Sequence, residues 1–184
     1  MAASDDIYIR PCVPADAVHV PQVCKMIYAA YRSEASWTTE AHIVSGERIS
    51  EENLREFIED NHQPDILLFA FQRSTDLSVP DRVVGTIQLE PKPDHDEALI
   101  GLLSVDPTFQ SKGIGSKLVR TALEYSKKDL KLSKGVIWVL RNRDDILKWY
   151  TRMGFVDSGS TQPFPWPELL KQKDMHFKVL KKIL

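Results

Sequence analysis

The residues Gln110-Ser-Lys-Gly-Ile-Gly-Ser116 have the types and spacing to hold a phosphate group. They lie between an apolar run, Ala98–Val105, and an amphipathic stretch that begins at Ile114. A strand, a short glycine turn and a helix in that order make an anion site. The first amides of a helix have no intrahelical partner, and the helix dipole favours negative charge there. Gly113 and Gly115 let the backbone approach a bulky phosphate with no side chain in the way. The expected ligand is therefore a diphosphate.

Three kinds of cradle compete for that reading. A P-loop needs Gly-Lys-Ser/Thr, and here Lys112 precedes Gly113, so the pattern fails. A dinucleotide fold needs a third glycine, which Gly113-Ile-Gly115-Ser-Lys-Leu118 lacks, and an acidic ribose ligand where this chain has Arg141. Coenzyme A is the third candidate. Gln110-x-x-Gly113-x-Gly115, following Leu103-Ser-Val105-Asp-Pro107, resembles the acetyl-CoA signature of the GNAT superfamily of N-acyltransferases. Tyr150-Thr-Arg-Met-Gly154-Phe155 resembles the downstream Tyr-x-x-x-Gly-Phe element of the same family. Trp37-Thr-Thr-Glu40 and Pro163-Phe-Pro165 resemble stretches of a fungal-type subgroup.

The resemblance implies a set of roles. Acetyl-CoA is the cosubstrate, with the amides from Ser111 through Lys112, Gly113, Ile114 and Gly115 to Ser116 on its pyrophosphate and Lys112 adding charge. Gln110 opens the signature. A bulge in the strand before the turn splays it from its parallel neighbour, and the pantetheine arm lies in the gap. That places backbone groups of Leu103, Ser104 and Val105 beside the thioester, with the Val105 amide polarising the carbonyl. Tyr150 is the candidate general acid, because a phenol stays protonated at neutral pH and can donate to a departing thiolate. Read from its helix alone, Tyr150 is rather a core residue sharing an apolar face with Ile146 and Met153.

Two departures from the family pattern stand out. Arg143, with Asn142 beside it, occupies a position where the family often has Asn, and is expected to touch substrate or to seal a loop. Leu99 stands where some members carry a glutamate base, so the base is sought in Glu97, two residues earlier on the same strand face, in Glu90 or in Glu40, directly or through water. His42, His62, His95 and His176 are read as surface residues, and no Cys/His spacing suggests a metal.

The elements that must position these groups follow from periodicity. Ile7–Arg10, Ile66–Phe71, Val83–Leu89 (ending at Glu90-Pro91), Ala98–Val105, Gly135–Leu140, a short strand opened by Phe155-Val156, and Met175–Leu180 read as strands. Helices are expected over Ala15–Tyr31, from Ser50 as N-cap to about Asn61, over Gly113–Lys128 burying Ile114, Leu118, Ala122 and Tyr125, and over Asp144–Met153 with Gly154 as its C-cap. Ser33–Ile49 reads as loop, and three prolines bar Thr161–Pro167 from regular structure. Polar connections that are too short for helices make the central strands an antiparallel meander, while a helical crossover makes Gly135–Leu140 parallel to Ala98–Val105. With the family resemblance, the expectation is a single α/β domain over 1–184. It has a GNAT-like acyl-CoA N-acyltransferase fold and a mixed central sheet of about six or seven strands flanked by helices.

Hydrophobic content of 42%, charged content of 27% and a net charge of −2 suit one soluble globular domain and give no pull toward nucleic acid or anionic membrane. No apolar stretch reaches the about 18–20 residues of a membrane span, the N-terminus lacks a signal pattern, and Cys12 and Cys24 read as free thiols in a reducing compartment. A cytoplasmic protein is expected, with the nucleus also open, as monomer or homodimer. Tyr28, Tyr31, Trp37, Phe164 and Trp166, with Glu34 and Glu40, suit a small cationic amine. The expected activity is direct acetyl transfer from acetyl-CoA to a primary amine of a small molecule. A non-catalytic acyl-CoA sensor and an acetyltransferase for protein amines are the alternatives.

Overall fold

The computed structural model describes residues 6–59, 64–76 and 78–184. Its strands are β1 (Ile7–Pro11), β2 (Ile66–Gln72), β3 (Arg82–Lys92), β4 (Glu97–Val105), β5 (Lys134–Leu140), β6 (Val156–Pro163) and β7 (His176–Ile183). Its α-helices among the described residues are α1 (Val20–Arg32), α2 (Glu51–Glu59), α3 (Ile114–Lys128) and α4 (Asp144–Arg152). The strands form one seven-stranded sheet in the order β1-β2-β3-β4-β5-β7-β6. All neighbours are antiparallel except β4 and β5, which run parallel across the α3 crossover as expected.

Both faces of the sheet are covered, and β2 shows how. Its alternate residues Leu67, Phe69 and Phe71 pack with Val20, Val23 and Ile27 of α1 and Leu54 and Ile58 of α2. Leu68 and Ala70 turn to the opposite face, toward Leu118, Val119 and Ala122 of α3. A strand buried on both sides reads as the continuous apolar run seen at Ile66–Phe71. The face of α3 differs slightly from expectation: Val119, Leu123 and Ser126 join Ile114, Leu118 and Ala122 in the interior, while Tyr125 is half-buried.

Several boundaries differ for local reasons. The segment expected as one helix over Ala15–Tyr31 divides into a tighter turn, Pro14–His19, and α1, with Pro21 in the first turn where its missing N–H is tolerated. α2 reaches Glu59, and the expected continuation to Asn61 and the residue His62 lie outside the described residues. β3 runs through Pro91 to Lys92, because β2 begins opposite Leu89 and leaves β3 an open edge beyond it. β6 likewise runs through Thr161 to Pro163, contrary to the expected irregular segment, and it is the outermost strand, where proline is tolerated.

The feature that positions the site is an interruption in the sheet. Between the pairs Thr86–Ser104 and Gln88–Gly101, two residues of β4 (Leu102 and Leu103) oppose the single residue Ile87 of β3. Leu102 takes φ +46°, a left-handed conformation costing a branched residue about 1–2 kcal/mol, and its buried side chain holds it there. Beyond the bulge β4 leaves its parallel neighbour: pairing with β5 covers only Glu97–Ile100 against Lys134–Ile137.

Candidate active site

The gap between β4 and β5 opens into a cavity of about 970 Å³, and the glycine turn forms one end of it. Asp106 fixes the approach, accepting from the Thr108 amide at 2.9 Å and from Arg82 at 2.6 Å. Ser111 and Gly113 both take positive φ, 61° and 83°, which reverses the chain into α3. The first backbone bond of α3 runs from the Lys117 amide to the Gly113 carbonyl, at 3.0 Å. The amides of Ile114, Gly115 and Ser116 therefore precede the intrahelical ladder. A Cβ built on Gly113 meets nothing within 4 Å, so the space over the turn is open. Ser111, Gly113, Ile114, Gly115 and Ser116 all line the cavity.

Two residues of the motif do something else. The Lys112 ammonium donates to the Thr108 carbonyl at 3.1 Å and sits over the Phe109 ring, outside the cavity lining. Gln110 lines the cavity but spends its amide on the loop that follows α1. It donates to Ser36 Oγ at 2.9 Å and to the Val105 carbonyl at 3.1 Å, and accepts from the Trp37 amide at 3.3 Å.

Along β4, Leu103, Ser104 and Val105 all line the cavity. The Asp106 amide donates to Val84 of β3 at 3.0 Å, so strand alternation turns the Val105 amide the other way, into the gap. The Leu103 carbonyl faces that side too and accepts from the Tyr31 hydroxyl at 2.9 Å. The Ser104 hydroxyl is spent on Thr86, 2.7 Å away inside the core.

Tyr150 reaches the cavity because of how α4 ends. Phe155 N–H bonds the Tyr150 carbonyl at 3.2 Å, Gly154 N–H bonds the Thr151 carbonyl at 2.9 Å, and Gly154 takes φ +89°. This is a Schellman cap, and its usual hydrophobic contact is made by the Tyr150 and Phe155 rings, with centroids 5.6 Å apart. The Tyr-x-x-x-Gly-Phe element is thus a device for orienting its own tyrosine. Tyr150 is buried against Trp149, yet among the described residues its hydroxyl has no hydrogen-bond partner. Burial, with the nearby Tyr31 and Glu40, pushes the phenol well above its ordinary value.

The three candidate carboxylates separate clearly. Glu97 lies outside the cavity lining, where Lys181 donates to it at 2.6 Å, so the structure does not bring it to Tyr150. Glu90 lines the cavity but is ion-paired with Lys92. Glu40 lines it as well, with Arg32 at 3.6 Å, and burial pushes its carboxyl up against the opposing pull of Arg48, Arg143 and Arg32. Arg143 seals the loop: its buried guanidinium donates to the Thr38 and Thr39 carbonyls at 3.2 and 2.9 Å and pairs with Asp145 at 2.8 Å. His42 and His95 are exposed and His176 half-buried, and none of them lines the cavity.

At the acceptor end the expected aromatic wall is largely present. Tyr31, Trp37, Phe164 and Trp166 line the cavity, joined by Trp138 and Phe177, whereas Tyr28 and Glu34 do not line it. The segment that follows the Pro-rich stretch pairs with the early loop at this end. Val44 bridges Leu170, the Ser45 amide bonds Leu169 and the Lys171 amide bonds Ile43, the last two at 2.8 Å. Sequence reading missed the guanidiniums of Arg32 and Arg48, which no local motif marks.

No sequence among curated proteins matches the chain. Among solved structures, a point mutant of spermidine N-acetyltransferase SpeG from Vibrio cholerae superposes with a TM-score of 0.70 at 16% identity, covering 98% of this chain and 95% of that one. Spermidine/spermine N-acetyltransferase SpeG from Vibrio cholerae in complex with manganese ions gives 0.67 at 18% identity, covering 97% and 93%. An acetyltransferase of the GNAT family from Streptococcus pneumoniae gives 0.66 at 15%, covering 97% and 99%. At these identities the likeness is one of fold. A family model described as the acetyltransferase (GNAT) family matches residues 27–155, well over half of the chain. By that match this chain belongs to the acetyltransferase (GNAT) family and is an acyltransferase.

Proposed function

We propose that this protein transfers an acetyl group from acetyl-CoA directly to a primary amine of a small molecule. When bound, acetyl-CoA supplies an activated thioester. The chain's own residues fit it: the open turn at Gly113 accepts the pyrophosphate, the β4–β5 gap takes the pantetheine arm, and the Val105 amide faces the carbonyl. Charge developing on that oxygen is stabilised by an amide already in place. As the nitrogen–carbon bond forms and the carbon–sulfur bond breaks, Tyr150 donates its proton to the thiolate and the amine gives up one proton. Glu40 is the carboxylate suited to receive it, directly or through water, because its charge is felt at Tyr150 and burial raises its basicity. Neither Cys12 nor Cys24 lines the cavity, and burial pushes both thiols up to about 11, which favours direct transfer over a cysteinyl intermediate.

The observation that carries the small-molecule reading is the Val44–Leu170 bridge, which ties the early loop to the C-terminal segment at the acceptor end and favours a compact acceptor over an extended chain. The fold neighbours named for spermidine acetylation support an amine acceptor of that size class. The resemblance of Trp37–Glu40 and Pro163–Pro165 to stretches of a fungal-type subgroup supports membership of it, and the two free cysteines suit the cytoplasm. The test follows thiol release and acetylated product together against polyamines, arylalkylamines, amino acids, amino sugars and short peptides. Product with a small amine supports the reading. Product with peptides alone would move the acceptor to protein amines, and tight binding without product from any class would make the protein an acyl-CoA sensor.

A further inference from the structure

The charges around the acceptor end do not balance. Arg143 is satisfied by Asp145 at 2.8 Å, and Arg32 by Glu40 at 3.6 Å. Arg48, which also lines the cavity, makes no ion pair within 4 Å among the described residues; its hydrogen-bonding neighbour is the Tyr31 side chain. Its guanidinium sits 5.7 Å from the Tyr31 ring centroid, and its field is felt at both Tyr31 and Glu40. Glu47 lines the same cavity but is exposed and not within 4 Å of any arginine. A guanidinium that lines a cavity with no carboxylate in ion-pair distance is a ready partner for one, which it binds through paired N–H donors.

Arg48 also has apolar neighbours. Two residues earlier Gly46 packs on Leu169, so this stretch of loop runs beside the segment carrying Phe164 and Trp166. The cavity thus presents a half-buried carboxylate, Glu40, a guanidinium with no ion-pair partner among the described residues, Arg48, and an aromatic wall. A polycationic amine approaching Glu40 would meet the field of Arg32, Arg48 and Arg143 around it.

We propose that the acceptor is a small amine that also carries a carboxylate and an apolar body, and that Arg48 binds that carboxylate. This rests on the acetyl-transfer reading above and narrows its substrate. The amine nitrogen acquires the acetyl group and loses one proton, the sulfur leaves as free thiol, and the carboxylate stays ionised on Arg48 throughout.

The experiment compares matched pairs that differ only by the carboxylate: phenylalanine with phenethylamine and tryptophan with tryptamine, plus spermidine, each at saturating acetyl-CoA. The wild-type protein is expected to favour the carboxylated member at least tenfold in kcat/KM. In Arg48→Gln that preference falls to within threefold of unity through KM, and Arg48→Lys restores part of it. A merely structural role for Arg48 would lower all acceptors alike. A preference for phenethylamine, tryptamine or spermidine in the wild type, or one that survives Arg48→Gln, overturns the proposal while leaving acetyl transfer intact. If no amine is acetylated, acetyl transfer itself fails. Calorimetric titration of the coenzyme A-loaded protein with phenylalanine and phenethylamine then still decides Arg48: tighter phenylalanine binding lost in Arg48→Gln supports it, and equal binding overturns it.

Discussion

Replacing Tyr150 by Phe removes one oxygen and nothing else, and the structure sets the size of each consequence. The hydroxyl has no protein partner among the described residues, so no internal hydrogen bond is lost. The ring contacts with Trp149 at 4.7 Å and Phe155 at 5.6 Å remain, as does the backbone cap through Gly154. Folding stability should therefore move by less than about 0.5 kcal/mol. The chemical step is another matter. A positioned general acid contributes about 10²–10⁴-fold, so Tyr150→Phe should lower kcat by that factor, raising the barrier by about 2.7–5.4 kcal/mol. The acetyl-CoA KM should stay within about threefold, because the cradle and the β4 amides are untouched. Because the phenol is pushed above its ordinary value, the tyrosine stays protonated and contributes no alkaline limb to the wild-type profile below about pH 10. Thiol release in steady state, beside a thermal melt of both proteins, measures all of this. A fall in kcat of less than threefold, with the melt unchanged, would refute the acid role and return Tyr150 to the core.

Three further outcomes follow from named contacts. Gln110→Ala should cost about 2 kcal/mol, or about 4–8 °C in Tm, by freeing the loop at Ser36 and Trp37, while the acetyl-CoA dissociation constant changes less than threefold; a large loss of acetyl-CoA affinity instead would make Gln110 a cofactor ligand. Arg143→Met leaves the Thr38 and Thr39 carbonyls unpaired and releases Asp145, whose carboxyl the Arg143 hydrogen bonds hold below its usual value. A depressed carboxylate stabilises the fold above its unfolded pKa and loses that contribution as pH falls, so the gap between wild type and Arg143→Met should be full at pH 7 and shrink below about pH 4, as read by denaturant melts. Gly113→Glu puts a carboxylate into the open space over the turn. At an effective dielectric of about 20, like charges about 4 Å apart repel by about 4 kcal/mol, so calorimetry should show coenzyme A binding weakened at least about a hundredfold; unchanged binding would mean the pyrophosphate lies elsewhere.

The parts of this molecule that sequence reveals are those whose logic is local. The β4–turn–α3 unit is written in one stretch, from Ala98 to Lys128, as a change from strand pattern to helix pattern across two glycines. Tyr150 and Gly154 declare themselves for the same reason, since a Schellman cap needs only the last turn of its own helix. What stays hidden depends on distant partners. Gln110 looks like a cofactor-side residue in sequence and Arg143 like one that touches substrate or seals a loop; both fasten the Ser36–Thr39 stretch, a partner 74 and 105 residues away that sequence does not name. Pro91 and Pro163 read as strand breakers because nothing local says that one has outrun its neighbour and the other lies on the outermost strand. Glu97 shares a strand face with Leu99, but periodicity fixes the face and not the distance along the strand, and Lys181 of β7 claims it. Arg32 and Arg48 have ordinary sequence surroundings and become notable only where the loop folds back over the cavity.

The central claim is that the Gly113 cradle and Tyr150 serve one reaction, acetyl transfer from acetyl-CoA to a small amine. The most direct test is a single-turnover experiment with radiolabelled acetyl-CoA, limiting against enzyme, in the presence of a mixed panel of small amines. The account predicts that label passes stoichiometrically into an N-acetylated small molecule with matching thiol release, and that none stays on protein denatured partway through the turnover. Label held covalently by the protein, or intact acetyl-CoA recovered with every acceptor, would contradict it.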